Sequence, residues 1–403
     1  MLTRRFFVKG SVLVMAGAGA VPSWLGRAAA ATQGRKKTLV AIFQRGAADG
    51  LSIVAPFGDR RYAELRPTIG VTAPGNQQRG PSGIDLDGFF ALHPQLEALK
   101  PLWDKKLLAI VEATGSPDPS RSHFDAQDFM ESGTPGAKGD GWLNRALTPP
   151  AEDTSPLRAI SMGAQLPRTL WGDRPAIALA DMQQYRMNEG TAAIVESMYE
   201  NSPDKPFETA GRDAFAAMKM IRSLTGGNYN PDNGAQYGGS ELGRNLQQVA
   251  RLIKADAGVE AAFAEIGGWD HHQNEPQQLG GLLRQFGMAL SGFCQDMGDR
   301  MGDIVLVTMS EFGRTAEENG DNGTDHGHGS LMMVLGGPVS GGKVYGRWPG
   351  LQKEQLYEGR DLDVTTDFRA VLSELVSGHL GQNDIAQVFP GYKPGEKLGL
   401  LRS

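Results

Sequence analysis

Cysteine is almost absent. Cys294 is the single one in 403 residues, so no internal disulfide holds the fold and no thiolate zinc finger can form. Long apolar runs are missing as well: after the first thirty residues none approaches the roughly 20 residues that a bilayer span needs. No stable membrane span is expected. A basic excess is lacking too, with 40 Lys and Arg against 46 Asp and Glu, the wrong balance for a nucleic-acid binder. No internal repeat or low-complexity tract occurs, and 40% hydrophobic with 21% charged residues excludes a collagen-like or wholly disordered chain. Glycine is what the chain has in plenty, 54 residues against a usual share of about 7%. Many turns and close backbone approaches are therefore expected, and with them long functional loops.

The first thirty residues read as an export signal. Thr3-Arg4-Arg5-Phe6-Phe7-Val8-Lys9 is followed by an uncharged stretch over 10–25, then Arg27 and four alanines. Basic start, short apolar middle and small-residue end are its three parts. The arginine pair before Phe and Lys resembles the twin-arginine signal, which carries proteins already folded, often around a cofactor. A membrane anchor is the competing reading, but the apolar stretch is short, glycine-rich and broken by Pro22. Cleavage is expected near Ala30 or Ala31, giving a signal over 1–31 and a periplasmic or extracellular protein. The signal holds four of the basic residues and no acid, so the chain after it carries 36 basic against 46 acidic residues, net −10.

Short apolar runs then alternate with helical stretches. Strands are expected over 38–44 (TLVAIFQ), 107–112 (LLAIVE), 158–162, 175–180, 261–266, 303–309 and 331–335. Helices are expected over 94–104, 124–132, 212–224, 241–255, 279–301 and 367–377. Residues 201–206 and 226–239, rich in Asn, Gly, Pro and Asp, read as loops. The pattern predicts an α/β fold, a mainly parallel central sheet with helices on both faces. One domain over 32–403 is expected, with a helical insertion around 190–256.

The histidines are the informative residues. His271 and His272 follow Gly267-Gly268-Trp269-Asp270, His326 and His328 sit in Asp325-His326-Gly327-His328-Gly329, and His123 lies in Ser122-His123-Phe124-Asp125. Five of the seven thus stand beside carboxylates in segments just past expected strands or before helices. In open α/β sheets, ligands bind beyond the carboxyl ends of the strands. Imidazole with carboxylate suits zinc, iron or manganese. Surface loops that merely hold His and Asp are the alternative. The first strand also runs into Arg45-Gly46-Ala47-Ala48-Asp49, and the strand over 303–309 into Ser310-Glu311-Phe312-Gly313-Arg314. Singly, such acids are turn or helix-cap residues. Together, Asp49, Asp270, Glu311, Asp325 and the histidines would describe a binuclear metal site. Ser122, at the start of an expected helix, is either an N-cap or a nucleophile.

The twin-arginine start, RGAADG, PSRSHFDAQDFMESG, GGWDHH, SEFGRT and DHGHG occur in this order over nearly the whole chain. In this the sequence resembles the bacterial exported domain-of-unknown-function family numbered 1501, itself similar to the alkaline phosphatase and sulfatase superfamily. The resemblance implies an alkaline-phosphatase-like fold and one or two divalent metal ions (zinc, manganese, magnesium or calcium) at the carboxyl edge of the sheet, beside a nucleophile. It implies Asp49 as first-strand ligand and Ser122 as nucleophile, with Ser120 as competitor. Asp270 and His272 would bind one metal, closed by His328 or His326, and Glu311 stands where an Asp-His pair would begin. Its histidine is replaced by Phe312, which cannot ligate. The implied activity is hydrolysis of phosphate or sulfate esters on an anionic small-molecule or polymer substrate, with Arg45 or Arg314 holding the anion. Ordinary salt bridges are the other role open to those two arginines. The twin-arginine translocase is the partner expected during export. An exported binding or assembly protein without turnover, favoured by Phe312, is the rival.

Overall fold

A computed structural model of the chain describes residues 35–76, 82–137, 139–151, 154–180, 182, 205–224 and 228–402. The expected signal over 1–31 lies outside the described residues, as do parts of the expected insertion around 190–256 and of the loops over 201–206 and 226–239.

The chain forms the mainly parallel α/β sheet expected of it. Strand β1 (Thr38–Gln44) comes first, and β2 (Val54–Ala55), β3 (Ile84–Asp85) and β4 (Ala91–Leu92) make a small separate sheet. The main sheet continues with β5 (Leu108–Gly115), β6 (Ala159–Ser161), β7 (Ile177–Ala178), β8 (Ala261–Ile266), β9 (Ile304–Met309), β10 (Ser330–Gly336), β11 (Lys343–Tyr345) and β12 (Thr366–Asp367). Its order is β11-β5-β10-β9-β1-β8-β6-β7, with β12 also on β5. Strand β1 lies in the interior, parallel to β8 and β9 and buried at every residue.

Alternation at period 2 sends side chains to two apolar faces. Val40, Ile42, Ala262, Ala264 and Leu306 pack on one with the helices Glu241–Lys254 and Glu275–Met297. Leu39, Ala41, Phe43, Phe263 and Val307 pack on the other with His123–Ser132 and Phe368–Leu375. Both faces are covered, as near-continuous apolar strands require.

Strand β10 departs from the parallel set, running antiparallel to both β5 and β9. Reversal brings the segment before β10 to the same edge as the segments after β1, β5, β8 and β9. Five chain segments therefore meet at the carboxyl edge, the histidine-rich loop among them. Two helices begin four or more residues earlier than expected. The helix Lys205–Leu224 begins inside the expected 201–206 loop. The long helix opens at Glu275, with Pro at its first turn, where the missing N–H is no loss; it ends at Met297 and passes into a 3-10 turn (Gly298–Asp303).

Candidate metal centre

The centre is built on close backbone contacts at that edge. Gly46 adopts φ +117°, and a Cβ there would lie 2.8 Å from the Asp270 amide nitrogen; only glycine lets the turn after β1 lie against the turn after β8. Trp269, wholly buried, donates its indole N–H to Ile266 O at 3.0 Å and packs edge-on against Phe286. That anchors the turn carrying Asp270 and His272. The segment of Arg314 pairs with that of His326 through Thr315 N–H to Asp325 O (2.9 Å) and Gly327 N–H to Gly313 O (2.8 Å).

Three imidazoles and one carboxylate converge there. His326 Nε2 lies 3.1 Å from His123 Nε2, 3.1 Å from His272 Nε2 and 3.1 Å from Asp270 Oδ1. His272 Nε2 is 3.0 Å from Asp270 Oδ1, and His123 Nε2 is 3.5 Å from Asp270 Oδ2. His123, Asp270 and His326 form a group able to hold a metal ion, their ligand atoms within 4.8 Å of one another. In a tetrahedral site with bonds of about 2.0–2.1 Å, ligand atoms stand about 3.3–3.4 Å apart. The observed spacings fall close to that edge length.

The other nitrogen of each ring is tied down. His123 Nδ1 meets Glu311 Oε1 at 2.7 Å, His272 Nδ1 meets Asp325 Oδ1 at 3.1 Å, and His326 Nδ1 meets the Arg121 carbonyl at 3.1 Å. A carboxylate and a carbonyl only accept, so each Nδ1 carries the hydrogen. With Nδ1 the donor, the three Nε2 atoms face one another, the arrangement in which their lone pairs would surround a cation. The donor set thus fits a metal ion, with the outer acceptors that orient ligating histidines.

The electrostatics follow from these contacts. The hydrogen bond from His123 to Glu311 raises the histidine's pKa. Burial acts against ionisation of Glu311, but His123, Gln127 (2.8 Å) and the Gly46 N–H (2.8 Å) hold it below the usual carboxylate range. Burial likewise opposes the charge of Asp270, and Arg314 Nη1 at 2.6 Å outweighs it, lowering that pKa. Burial lowers His326 despite Asp270. Asp270 stays 43% exposed, so solvent reaches the cluster.

Several residues singled out in the sequence sit elsewhere or act differently. Glu311 and Asp325 stand behind His123 and His272 rather than in the cluster. Asp49 does not join it: the buried carboxylate accepts from Leu51 N–H, Ser52 Oγ and both Nη atoms of Arg66, which leaves it no free face. Burial opposes its ionisation, yet Arg66 brings its pKa down to about 2. His328 is only 8% exposed and stacks on Tyr357 at 4.2 Å, away from the three converging rings. Arg314 is buried, bonded to Asp270 and to Thr324. Arg45 pairs with Glu265, Glu131 and Gln127. Both take the salt-bridge role.

Ser122 caps the helix His123–Ser132 by position, without a side-chain capping bond, and its N–H donates to Ser120 Oγ. Phe312, buried, stacks on His123 with ring centres 5.0 Å apart. His123, counted in the sequence with the other histidines at strand ends but given no ligand role of its own there, is a ligand candidate in this cluster.

No curated protein matches the chain. Solved structures similar to it include the PsFucS1 sulfatase from Pseudoalteromonas sp., at 11% identity and TM-score 0.39, over 95% of this chain and 78% of that one. Another is the PH0037 protein from Pyrococcus horikoshii, at 12% identity and TM-score 0.31, over 75% of this chain and 86% of that one. Residues 108–384 match the family described as "Protein of unknown function (DUF1501)", which spans well over half the chain and carries four of the cluster's residues; the chain belongs to that family.

Proposed function

We propose that this protein is an exported, metal-dependent hydrolase of phosphate or sulfate esters. One observation carries the reading: the Nε2 atoms of His123, His272 and His326 gather around Asp270 while each Nδ1 is held by an acceptor. A divalent ion such as zinc or manganese, when bound, supplies a Lewis acid there and lowers the pKa of a nearby hydroxyl.

The chain's own residues do the rest. Glu311 and Asp325 orient two of the rings, Arg314 holds Asp270 ionised, and Phe312 walls one side. Ser122 precedes His123 by one residue and is the candidate nucleophile. Its attack on phosphorus or sulfur would release the alcohol of the ester, the serine proton passing to solvent or to the leaving oxygen, and water would then displace the phosphoryl or sulfuryl group from Ser122 as phosphate or sulfate. The order of the sequence motifs supports the superfamily resemblance, and the twin-arginine start supports export through that translocase to the periplasm or beyond. We take 32–403 as one domain. Among the described residues, no helix is long and apolar enough to cross a membrane.

A metal-binding protein without turnover is the second reading. The engagement of Arg45 and Arg314 in ion pairs favours it, because neither is free to hold an anion. Hydrolysis of phosphate and sulfate esters by the metal-loaded chain, compared with Ser122→Ala and His272→Ala, tests the two. Turnover lost in both variants with melting temperature retained supports the hydrolase. Bound metal with no turnover on either ester class points to the binding protein.

A further inference from the structure

We propose that the centre takes one metal ion, not two, and that the buried Arg66 guanidinium is the fixed cation on Asp49 in place of a second ion. The inference rests on the metal-dependent reading above and narrows it to a mononuclear site.

Asp49 sits just past β1, where the sequence leads one to expect a metal-ligating carboxylate. Its surroundings decide against that role. Arg66 Nη1 reaches Asp49 Oδ2 and Nη2 reaches Oδ1 (3.1 Å), an end-on bidentate pair. Nη1 also bonds Ser52 Oγ at 2.9 Å, Nη2 bonds Thr315 O at 2.8 Å, and Nε bonds Ala316 O at 3.0 Å. Those five contacts use all five N–H groups of the guanidinium. The side chains of Arg66 and Asp49 are 0% and 2% exposed. Asp49 in turn spends its lone pairs on Arg66, Ser52 and the Leu51 N–H.

A metal ion entering beside Asp49 would therefore have to displace a guanidinium whose donors then find neither water nor other acceptors, a costly exchange. Arg66 sets one buried cation against the Asp49 carboxylate, and Glu275, also buried beside that pair, has its pKa pushed well above the usual range by burial and by Asp49. Asp270 differs in each respect. Arg314 Nη1, His272 Nε2 and His326 Nε2 all meet its Oδ1, its Oδ2 faces His123, and the carboxylate is 43% exposed. The same residue types thus serve two purposes at one sheet edge: an open carboxylate among imidazoles for the exchangeable ion, and a closed carboxylate-guanidinium pair that needs none.

Metal stoichiometry tests this without reference to turnover. The full chain, stripped with a chelator, reloaded separately with zinc and with manganese and freed of excess ion, is expected to retain one ion per chain by mass spectrometry in each case. Asp270→Asn should lower retention at least tenfold. Asp49→Asn, with folding checked by circular dichroism, and Arg66→Lys, which keeps a cation in place, should each still retain one. Two ions per wild-type chain, or loss of the ion in a folded Asp49→Asn, would overturn the proposal and leave the metal-dependent reading standing. No ion on the wild type overturns both. Should Asp49→Asn fail to fold, the wild-type stoichiometry and Arg66→Lys decide.

Discussion

Glu311 and His123, 188 residues apart in sequence, meet at 2.7 Å, the carboxylate wholly buried and the imidazole about a quarter exposed. Glu311 takes the Nδ1 hydrogen and so aims Nε2 at Asp270 and His326. A residue that sequence alone offers as a ligand thus acts one step behind a ligand. Outer acceptors of this kind typically change metal affinity about 10–100-fold. Glu311→Gln should weaken zinc binding by that factor in a chelator competition, with the fold intact. Unchanged affinity in the variant would remove Glu311 from the centre.

Gly46 makes a second, steric prediction. With φ +117° and a Cβ position 2.8 Å from the Asp270 amide, Gly46→Ala strains the backbone and pushes the Asp270 turn away. Strain of this kind costs about 1–3 kcal/mol, read as a lower melting temperature. Metal affinity should fall alongside it, because Asp270 moves. A variant as stable and as tight-binding as the wild type would contradict the packing described.

The sheet was legible because its signals are local. Both β1 and β8 run over the bounds that their apolar runs mark, Thr38–Gln44 and Ala261–Ile266. The Asp-His pairings of GGWDHH and DHGHG are also visible in sequence, being short-range. What stayed hidden is long-range. Arg66 belongs to the polar stretch Asp59-Arg60-Arg61-Tyr62-Ala63-Glu64-Leu65-Arg66, and nothing in its pattern says which arginine is buried. Its partners Thr315 and Ala316 lie 249 and 250 residues on. Residues His326 and His328 look equivalent in DHGHG, yet Tyr357 claims the second by stacking. The antiparallel turn of β10, which brings that loop to the edge, leaves no mark in an apolar run either.

The export proposal has its own test. Replacing Arg4 and Arg5 by Lys keeps the charge and removes the pair that the translocase reads. An uncleaved precursor should then accumulate in the cytoplasm, seen by fractionation and blotting. Normal export of the double variant would point to the general secretory route.

Far from the centre, Asp296 should make stability depend on pH. Its buried carboxylate accepts from Tyr229 Oη and Tyr237 Oη, both at 2.6 Å, from Asp232 N–H at 2.6 Å, and from Lys254 Nζ. Burial opposes ionisation, but these donors, Lys254 first among them, lower the pKa. A lowered carboxylate pKa adds stability above the unfolded value of about 3.9, lost as pH falls through the lower folded value. Asp296→Asn should cost roughly 2–4 kcal/mol near pH 7, and the gap to wild type should close below about pH 4. Urea unfolding at several pH values reads it; a gap constant down to pH 2 would contradict the assignment.

Glu112 should behave in the opposite sense. It lies within β5, 1% exposed, and neither carboxyl oxygen meets a hydrogen-bond partner at good geometry. Burial pushes its pKa well above the usual value, against a smaller opposing pull from the Ala113 amide. A raised carboxylate pKa contributes stability that is fully present below the unfolded value of about 4.3 and is lost as pH rises toward the folded one. At neutral pH the unfolded chain gains by ionising Glu112 and the folded chain does not. Replacement by an apolar side chain of similar length removes both that pH term and the unpaired polar group, which costs about 1–3 kcal/mol when buried. Glu112→Met is therefore expected to raise stability by that order at pH 4, where the carboxyl is mostly protonated in both states, and by more near pH 7. Equal stabilisation at both pH values would mean that the pH term is absent, and destabilisation at pH 7 would mean that the carboxyl group has a partner in solution.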